Sequence, residues 1–194
     1  MFFIKSFVKN NDLLYSMYKS VKNFFYASME TQLFSYICRL IEIHNIKSIL
    51  DVGCGDKKWT YRLKDCYKDC DIVTLDAWPN FEPDVLHDLN NLPLPFSDDS
   101  FDLVLLLDVI EHLDKKNGFK LLEYLKRICK IIILLTPLWW QDNLDNVTDS
   151  STMYFNNSYN LHKSLWSSED FKDFKRLEIG VKQNYYIGVY SRVD

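Results

Sequence analysis

From residue 47 to residue 136, short apolar runs alternate with stretches of helical periodicity. Lys47–Val52 is a β-branched run that ends in Gly53-Cys54-Gly55. A helical stretch follows, with Trp59, Leu63 and Tyr67 at i, i+4 and i+8. Asp71–Asp76 reads as a second strand, and a short extended piece at Val85–Leu86 leads into a loop holding Pro93 and Pro95. Phe101–Leu107 is a continuous apolar run, as expected of a strand buried on both faces. The next helix puts Phe119, Leu122, Leu125, Ile128 and Cys129 on one side, and Ile131–Leu135 is a further buried strand stopped by Pro137. This order dictates βαβ crossovers, hence a mostly parallel sheet with helices on both faces. Residues 176–182 and 185–192, around Gln183-Asn184, read as a terminal antiparallel hairpin.

The 194 residues are enough for one domain with a substantial core. Residues 29–194 are expected to form that domain, with Leu33, Ile37, Leu40 and Ile41 on one face of its leading helix. Residues 1–28 read as an amphipathic helical extension, in which Phe3, Phe7, Leu14, Tyr18, Val21 and Phe25 recur at helical spacing among scattered lysines. Such a helix packs on the core, closes over a site, or lies on a membrane surface.

Composition weighs against several classes. The net charge of −4 gives no basic footprint for nucleic acid. No segment reaches the roughly 18 uninterrupted apolar residues of a membrane span. Lys5 and Lys9 break the apolar start, so it does not read as a signal peptide. The five cysteines have no disulfide-framework spacing. Reduced thiols in a cytoplasmic protein are expected. Cys66 and Cys70 stand four apart without a second Cys/His pair at zinc spacing, so no metal is expected.

In an open parallel sheet, ligands sit beyond the carboxyl ends of the strands. The first strand ends in Asp51-x-Gly53-x-Gly55, where two glycines allow a tight turn and a close approach of backbone to ligand. Asp51 either fixes this loop or reaches a cationic ligand. Asp76 ends the second strand 21 residues beyond Gly55, a spacing suited to ribose hydroxyls. Asp88-Leu89 follows the third strand and Asp108 the fourth. A phosphate would not favour this crown of acids. Lys58 also stands where a third dinucleotide-loop glycine belongs. S-Adenosylmethionine, with no pyrophosphate and a permanent positive charge, fits better.

The motifs extend this reading. "ILDVGCG" at 49–55 resembles the first motif of class I S-adenosylmethionine-dependent methyltransferases. "LPLPFSDDSFDLVLLLDVIEHL" at 92–113 is similar to the fourth-strand segment of the small-molecule (type 11-like) branch. "TPLWWQ" at 136–141 and "HKSLWSSEDF" at 162–171 resemble later segments of bacterial enzymes, some found near sugar or cell-envelope biosynthesis. The resemblance implies a Rossmann-like seven-stranded methyltransferase fold with an antiparallel last strand. It implies that Gly53, Cys54 and Gly55 line the methionine and ribose part, with Asp51 beneath them. It implies Asp76 and the adjoining Ala77 at the ribose, Asp88 and Leu89 at the adenine, and Asp108 with Val109 at the methionine end. Many members have a glycine where Lys57 stands, so a side chain there is expected to narrow the loop.

Methyl transfer needs alignment of nucleophile and methyl, and a general base helps if the nucleophile is a hydroxyl. His112 and His162 lie in the motif-rich segments and are the candidates, with an ordinary imidazole titrating near ~6.5. A structural brace is the other reading of His112. Trp139, Trp140 and Trp166 are expected to line an acceptor pocket. The leading expectation is a small-molecule methyltransferase acting on a sugar or cell-envelope precursor hydroxyl. A catalytically silent methyltransferase-like subunit and a protein or RNA methyltransferase remain as alternatives.

Overall fold

The strand Phe101–Leu107 sends Leu103, Leu105 and Leu107 to one apolar layer and Val104 and Leu106 to the other. The computed structural model, which describes residues 12–140, 143–179 and 184–193, is built around it. Helix α1 is Asp12–Ile43 and strand β1 is Ser48–Val52. Helix α2, Lys58–Cys66, leads to β2, Asp71–Asp76, and β3, Val85–Leu86. After β4, Phe101–Leu107, a 3₁₀ turn at Ile110–His112 precedes α3, Lys115–Ile128, and β5, Cys129–Pro137. The short α4, Leu144–Thr148, opens a long irregular segment before β6, Lys175–Arg176, and β7, Tyr185–Ser191.

The seven strands form one sheet in the order β3-β2-β1-β4-β5-β7-β6. Strands β1 to β5 pair in parallel, whereas β7 runs antiparallel to both β5 and β6. This is the expected Rossmann-like methyltransferase arrangement. The expected antiparallel hairpin is formed by β6 and β7, with β6 only two residues long and Gln183 at the proposed turn outside the described residues.

One layer packs α3 with Trp166, Phe171 and Tyr186 against β1, β4 and β5. The other packs Met29, Leu33, Ile37 and Ile41 of α1 and Trp59 and Leu63 of α2. Burial on both faces is why β4 and β5 read as unbroken apolar runs. On α3, Leu122, Leu125 and Ile128 are buried as expected, whereas Phe119 is exposed and Gly118 and Leu121 join the buried face.

Helix α1 runs unbroken through the expected division at residues 28 and 29. Of the expected stripe, Phe3 and Phe7 lie outside the described residues, as do the side chains of Leu14, Tyr18 and Val21, and Phe25 is exposed. Among the described residues no helix is long and apolar enough to cross a membrane.

Candidate functional site

Strands β1 and β4 lie side by side, but the chain leaves β1 toward β2 and leaves β4 toward β5. Their carboxyl ends therefore open a crevice between diverging connections. A cavity of about 210 Å³ sits there, lined from β1 by Asp51, Gly53, Cys54 and Gly55, and from β4 by Leu107, Asp108 and Val109. Asp76, Ala77, Asp88 and Leu89 line it too, so all ten expected cofactor positions face one space.

Local folding explains the loop after β1. Gly53 and Gly55 have φ of +66° and +52°, a backbone region that favours glycine. A Cβ on Gly53 would lie 2.6 Å from Val109 Cγ2, whereas one on Gly55 would meet nothing within 4 Å. The first glycine thus lets two loops touch, and the second keeps space open. The N–H groups of Gly53 and Cys54 both donate to the Leu75 carbonyl, at 2.7 and 3.1 Å, which pins the loop to β2. Gly55 N–H donates to Asp76 Oδ2 at 3.0 Å, and Trp78 N–H donates to Asp76 Oδ1 at 2.8 Å. Each carboxylate oxygen keeps acceptor capacity for a further donor.

Lys57 also has positive φ, 60°, a costly conformation for a residue with a Cβ. Its side chain donates to the Glu82 carbonyl and does not line the cavity, so it takes up no space there. The expected narrowing does not occur.

The buried acids differ in their supports. Asp51 accepts from Thr60 Oγ1 at 2.6 Å, tying β1 to α2. Burial pushes its carboxyl up to about 6 against that hydrogen bond. Asp108 has φ 55° and accepts a hydrogen bond from the Tyr26 phenol of α1. Burial raises its carboxyl to about 6 despite that donor. Burial and the adjacent carboxylate also push Tyr26 far up, so it remains a phenol that donates. Burial likewise raises the Cys54 thiol to about 12, which removes it as a nucleophile.

The three tryptophans expected to line a pocket lie elsewhere. Trp166 is 1% exposed, stacks on Phe171, and donates Nε1–H to the Ile110 carbonyl at 3.3 Å. It is a core residue rather than a pocket wall, and Gly118 makes the room for it: a Cβ there would lie 2.6 Å from its ring. Trp139 packs edge-on against Tyr185 at 4.8 Å, and Trp140 is exposed; neither lines the cavity. The walls are instead Tyr26, Phe81, Tyr154, Asn157, Tyr159 and Asn160. Four of these belong to the irregular segment after α4, which carries no periodic signal in the sequence.

His112 lines the cavity, and the His162 ring stands edge-on to it at 4.8 Å. The cause is a backbone latch: Lys163 and Ser164 N–H donate to the Glu111 carbonyl at 2.8 and 3.1 Å. Glu111 is itself buried and accepts from Thr136 Oγ1 at 2.9 Å. Its carboxyl is pushed well up by burial and by Asp108. Burial first, and His162 second, press the His112 imidazole down to about 4. The expected near-neutral base is therefore a neutral and weak one. Glu111, His112 and His162 each bring one ligand-type atom to within 4.8 Å of the others, a cluster the sequence did not reveal.

Comparison with known proteins places this geometry. Residues 50–131 match the family model described as "Methyltransferase domain". A search of curated proteins finds no match. Among solved structures, the chain is similar to an S-adenosylmethionine-dependent methyltransferase from Clostridium acetobutylicum. Identity is 14% and TM-score 0.57, over 81% of this chain and 89% of that one. It is similar to the mitomycin 7-O-methyltransferase at 13% identity and TM-score 0.52, over 76% of this chain and 49% of that one. It is also similar to the small RNA methyltransferase HEN1 at 17% identity and TM-score 0.54, over 85% of this chain and 25% of that one. At these identities the likeness is one of fold.

Proposed function

For a chain whose residues 50–131 match a methyltransferase domain, we propose transfer of a methyl group from S-adenosylmethionine to a hydroxyl of a small molecule, a sugar or cell-envelope precursor. The observation that carries the cofactor half is the Gly55 N–H on the Asp76 carboxylate at the tips of β1 and β2. It preorganises a carboxylate for ribose hydroxyls, while Gly55 leaves the approach clear. Asp88 and Leu89 would meet the adenine, and Asp51 and Asp108 the charged methionine end. The residues present fit S-adenosylmethionine: a permanent cation is offered acids, and no phosphate cradle is built.

The lining of the cavity favours a small neutral acceptor over RNA. Its five aspartates face two lysines, Lys58 and Lys163, so the site has the wrong sign for a polyanion. Tyr154, Tyr159, Asn157 and Asn160 offer rings and amides of the kind that hold a sugar. His112 and His162 flank the acceptor end. The five cysteines are free thiols, which supports a reducing compartment and a cytoplasmic reaction.

The chemistry is a displacement in line with the departing sulfur. The sulfonium needs little assistance to leave, so the protein contributes alignment and exclusion of water. The test combines calorimetry with S-adenosylhomocysteine and transfer of radiolabelled methyl to separate panels of glycosides and short RNAs. One product molecule bound per chain, with label in the glycoside panel, is expected. Label confined to RNA overturns the acceptor class, and absence of any binding or transfer overturns the whole reading.

A further inference from the structure

We propose that Glu111, His112 and His162 bind one divalent transition-metal ion at the acceptor end of the cavity, and that this ion holds the oxygen to be methylated. The inference rests on the methyltransferase reading for the identity of that oxygen, but the metal site stands on its own geometry.

Three observations carry it. The first is convergence: one carboxylate oxygen and one nitrogen from each imidazole lie within 4.8 Å of one another. A modest inward movement brings such atoms to the roughly 2.0–2.2 Å of metal–ligand bonds. The second is an orphan. His112 Nδ1 is buried and has no hydrogen-bond partner. A buried polar atom left so costs about 1–3 kcal/mol, and a metal ion would satisfy it. The third is support behind the ligands. The Thr136 hydroxyl donates to Glu111 Oε2, which fixes the carboxylate as an outer-shell donor does in metal sites. The Glu111 carbonyl takes the amides of Lys163 and Ser164, which hold the residue after His162 and the next one against the turn. The site is thus built on a 3₁₀ turn and a strap latched to it, with its ligands preplaced.

The donor set selects the metal. Two imidazoles and one carboxylate suit zinc, iron, cobalt or manganese, whereas magnesium and calcium favour oxygen alone. Three protein ligands leave coordination positions open, as in catalytic centres. His112 faces the cavity, so an open position points toward the acceptor. A hydroxyl bound there gives up its proton to solvent far more readily than a free one, as metal-bound water does. The oxygen pair then forms the new O–CH₃ bond as the S–CH₃ bond breaks. The S–CH₃ pair stays on sulfur, which becomes a neutral thioether. The metal changes neither oxidation state nor net electron count. No side-chain base is required to take the proton.

Cobalt(II) is the probe, because its visible spectrum reports the donors. The intact protein is titrated with Co²⁺ alone, then challenged with Zn²⁺. Parallel titrations use Glu111→Gln, His162→Ala, His162→Gln and Cys66→Ser. S-Adenosylhomocysteine affinity is measured on each as a check of fold. One equivalent is expected, without a thiolate charge-transfer band and displaced by Zn²⁺. Affinity should fall roughly tenfold or more in the Glu111 and His162 variants and stay unchanged in Cys66→Ser. Product binding should hold within about twofold throughout. Absence of Co²⁺ binding, or binding that survives the Glu111 and both His162 substitutions, overturns the site. A thiolate band that disappears in Cys66→Ser overturns it as well. Failure of the wild-type chain to bind S-adenosylhomocysteine would instead sink the methyltransferase reading, a separate result from the metal titration.

Discussion

Tyr26 and Asp108 are 82 residues apart in the chain, and the phenol of one hydrogen-bonds the buried carboxylate of the other. Helix α1 therefore supplies a wall of the cavity and a support for one of its acids. Tyr26→Phe should leave Asp108 with its charge harder to hold, since burial already raises it and the phenol is what opposes that rise. Loss of such a partner costs about 1–3 kcal/mol, so the variant should melt several degrees lower and cofactor affinity should fall with it. Calorimetry on the single variant decides this. Deleting residues 1–28 removes Tyr26 too, so a truncation should show at least the same loss.

Asp51 gives a pH dependence with a definite sign. Its folded value of about 6 lies above the ordinary 3.8, and burial is the cause. As pH falls through about 6 the carboxyl takes up a proton and ceases to attract the sulfonium and ammonium of the cofactor. S-Adenosylmethionine affinity should be flat above about 7 and weaken by up to about tenfold per unit below 6. Asp51→Asn should bind weakly at pH ~7.5 and show a shallower slope, because Asp108, whose carboxyl is also raised to about 6, titrates in the same window. Folding shows the opposite sign. A carboxyl raised on folding binds its proton more tightly in the native state. The burial penalty of Asp51 is therefore full above about 6 and is relieved as pH falls from 6 toward 3.8. Affinity titrations from pH ~5 to 8, with chemical denaturation alongside, separate the two effects. An affinity independent of pH would show that Asp51 only braces Thr60.

Gly118→Ala tests the packing beneath the acceptor turn. In an exposed helix the change should stabilise by nearly ~1 kcal/mol. Here the new Cβ would sit 2.6 Å from Trp166 Cζ2, against a ring that is 1% exposed and held by Ile110 and Phe171. Overpacking of this kind costs about 1–3 kcal/mol, so net destabilisation is expected. Urea melts read its size. Greater stability in the variant would mean that Trp166 can swing away freely.

Much of the fold is legible in the sequence because burial on both faces leaves a simple mark. Phe101–Leu107 and Asp71–Asp76 match their expected bounds. Strand β5 extends beyond Ile131–Leu135 because Thr136 and Pro137 pair with Tyr186 and Tyr185 of β7, a tertiary contact with no local signature. The part of the cavity lining at the strand tips was readable, because Asp51, Gly53, Gly55, Asp76 and Asp108 sit where chain direction fixes position. The rest of the lining was not. Tyr154, Asn157 and Asn160 lie in irregular chain, and Tyr26 sits on a helix whose register against β4 no pattern reveals. Trp166 misled because an indole near a motif suits a pocket and a core equally, and the decision rests with Gly118. Glu111 hid because a carboxylate in a helical turn is ordinarily solvated; here it is 2% exposed.

The missing side chain of Gly53 has a mechanical meaning. Val109 occupies the place where a Cβ would stand, 2.6 Å from its Cγ2, so the tips of β1 and β4 mesh like adjoining teeth. Val109 is also the residue from which the turn bearing Glu111 and His112 departs, its carbonyl accepting the His112 N–H at 3.0 Å. A bulkier residue at position 53 would therefore press on Val109 and, through it, on the turn bearing Glu111 and His112, so that one substitution strains both walls of the crevice.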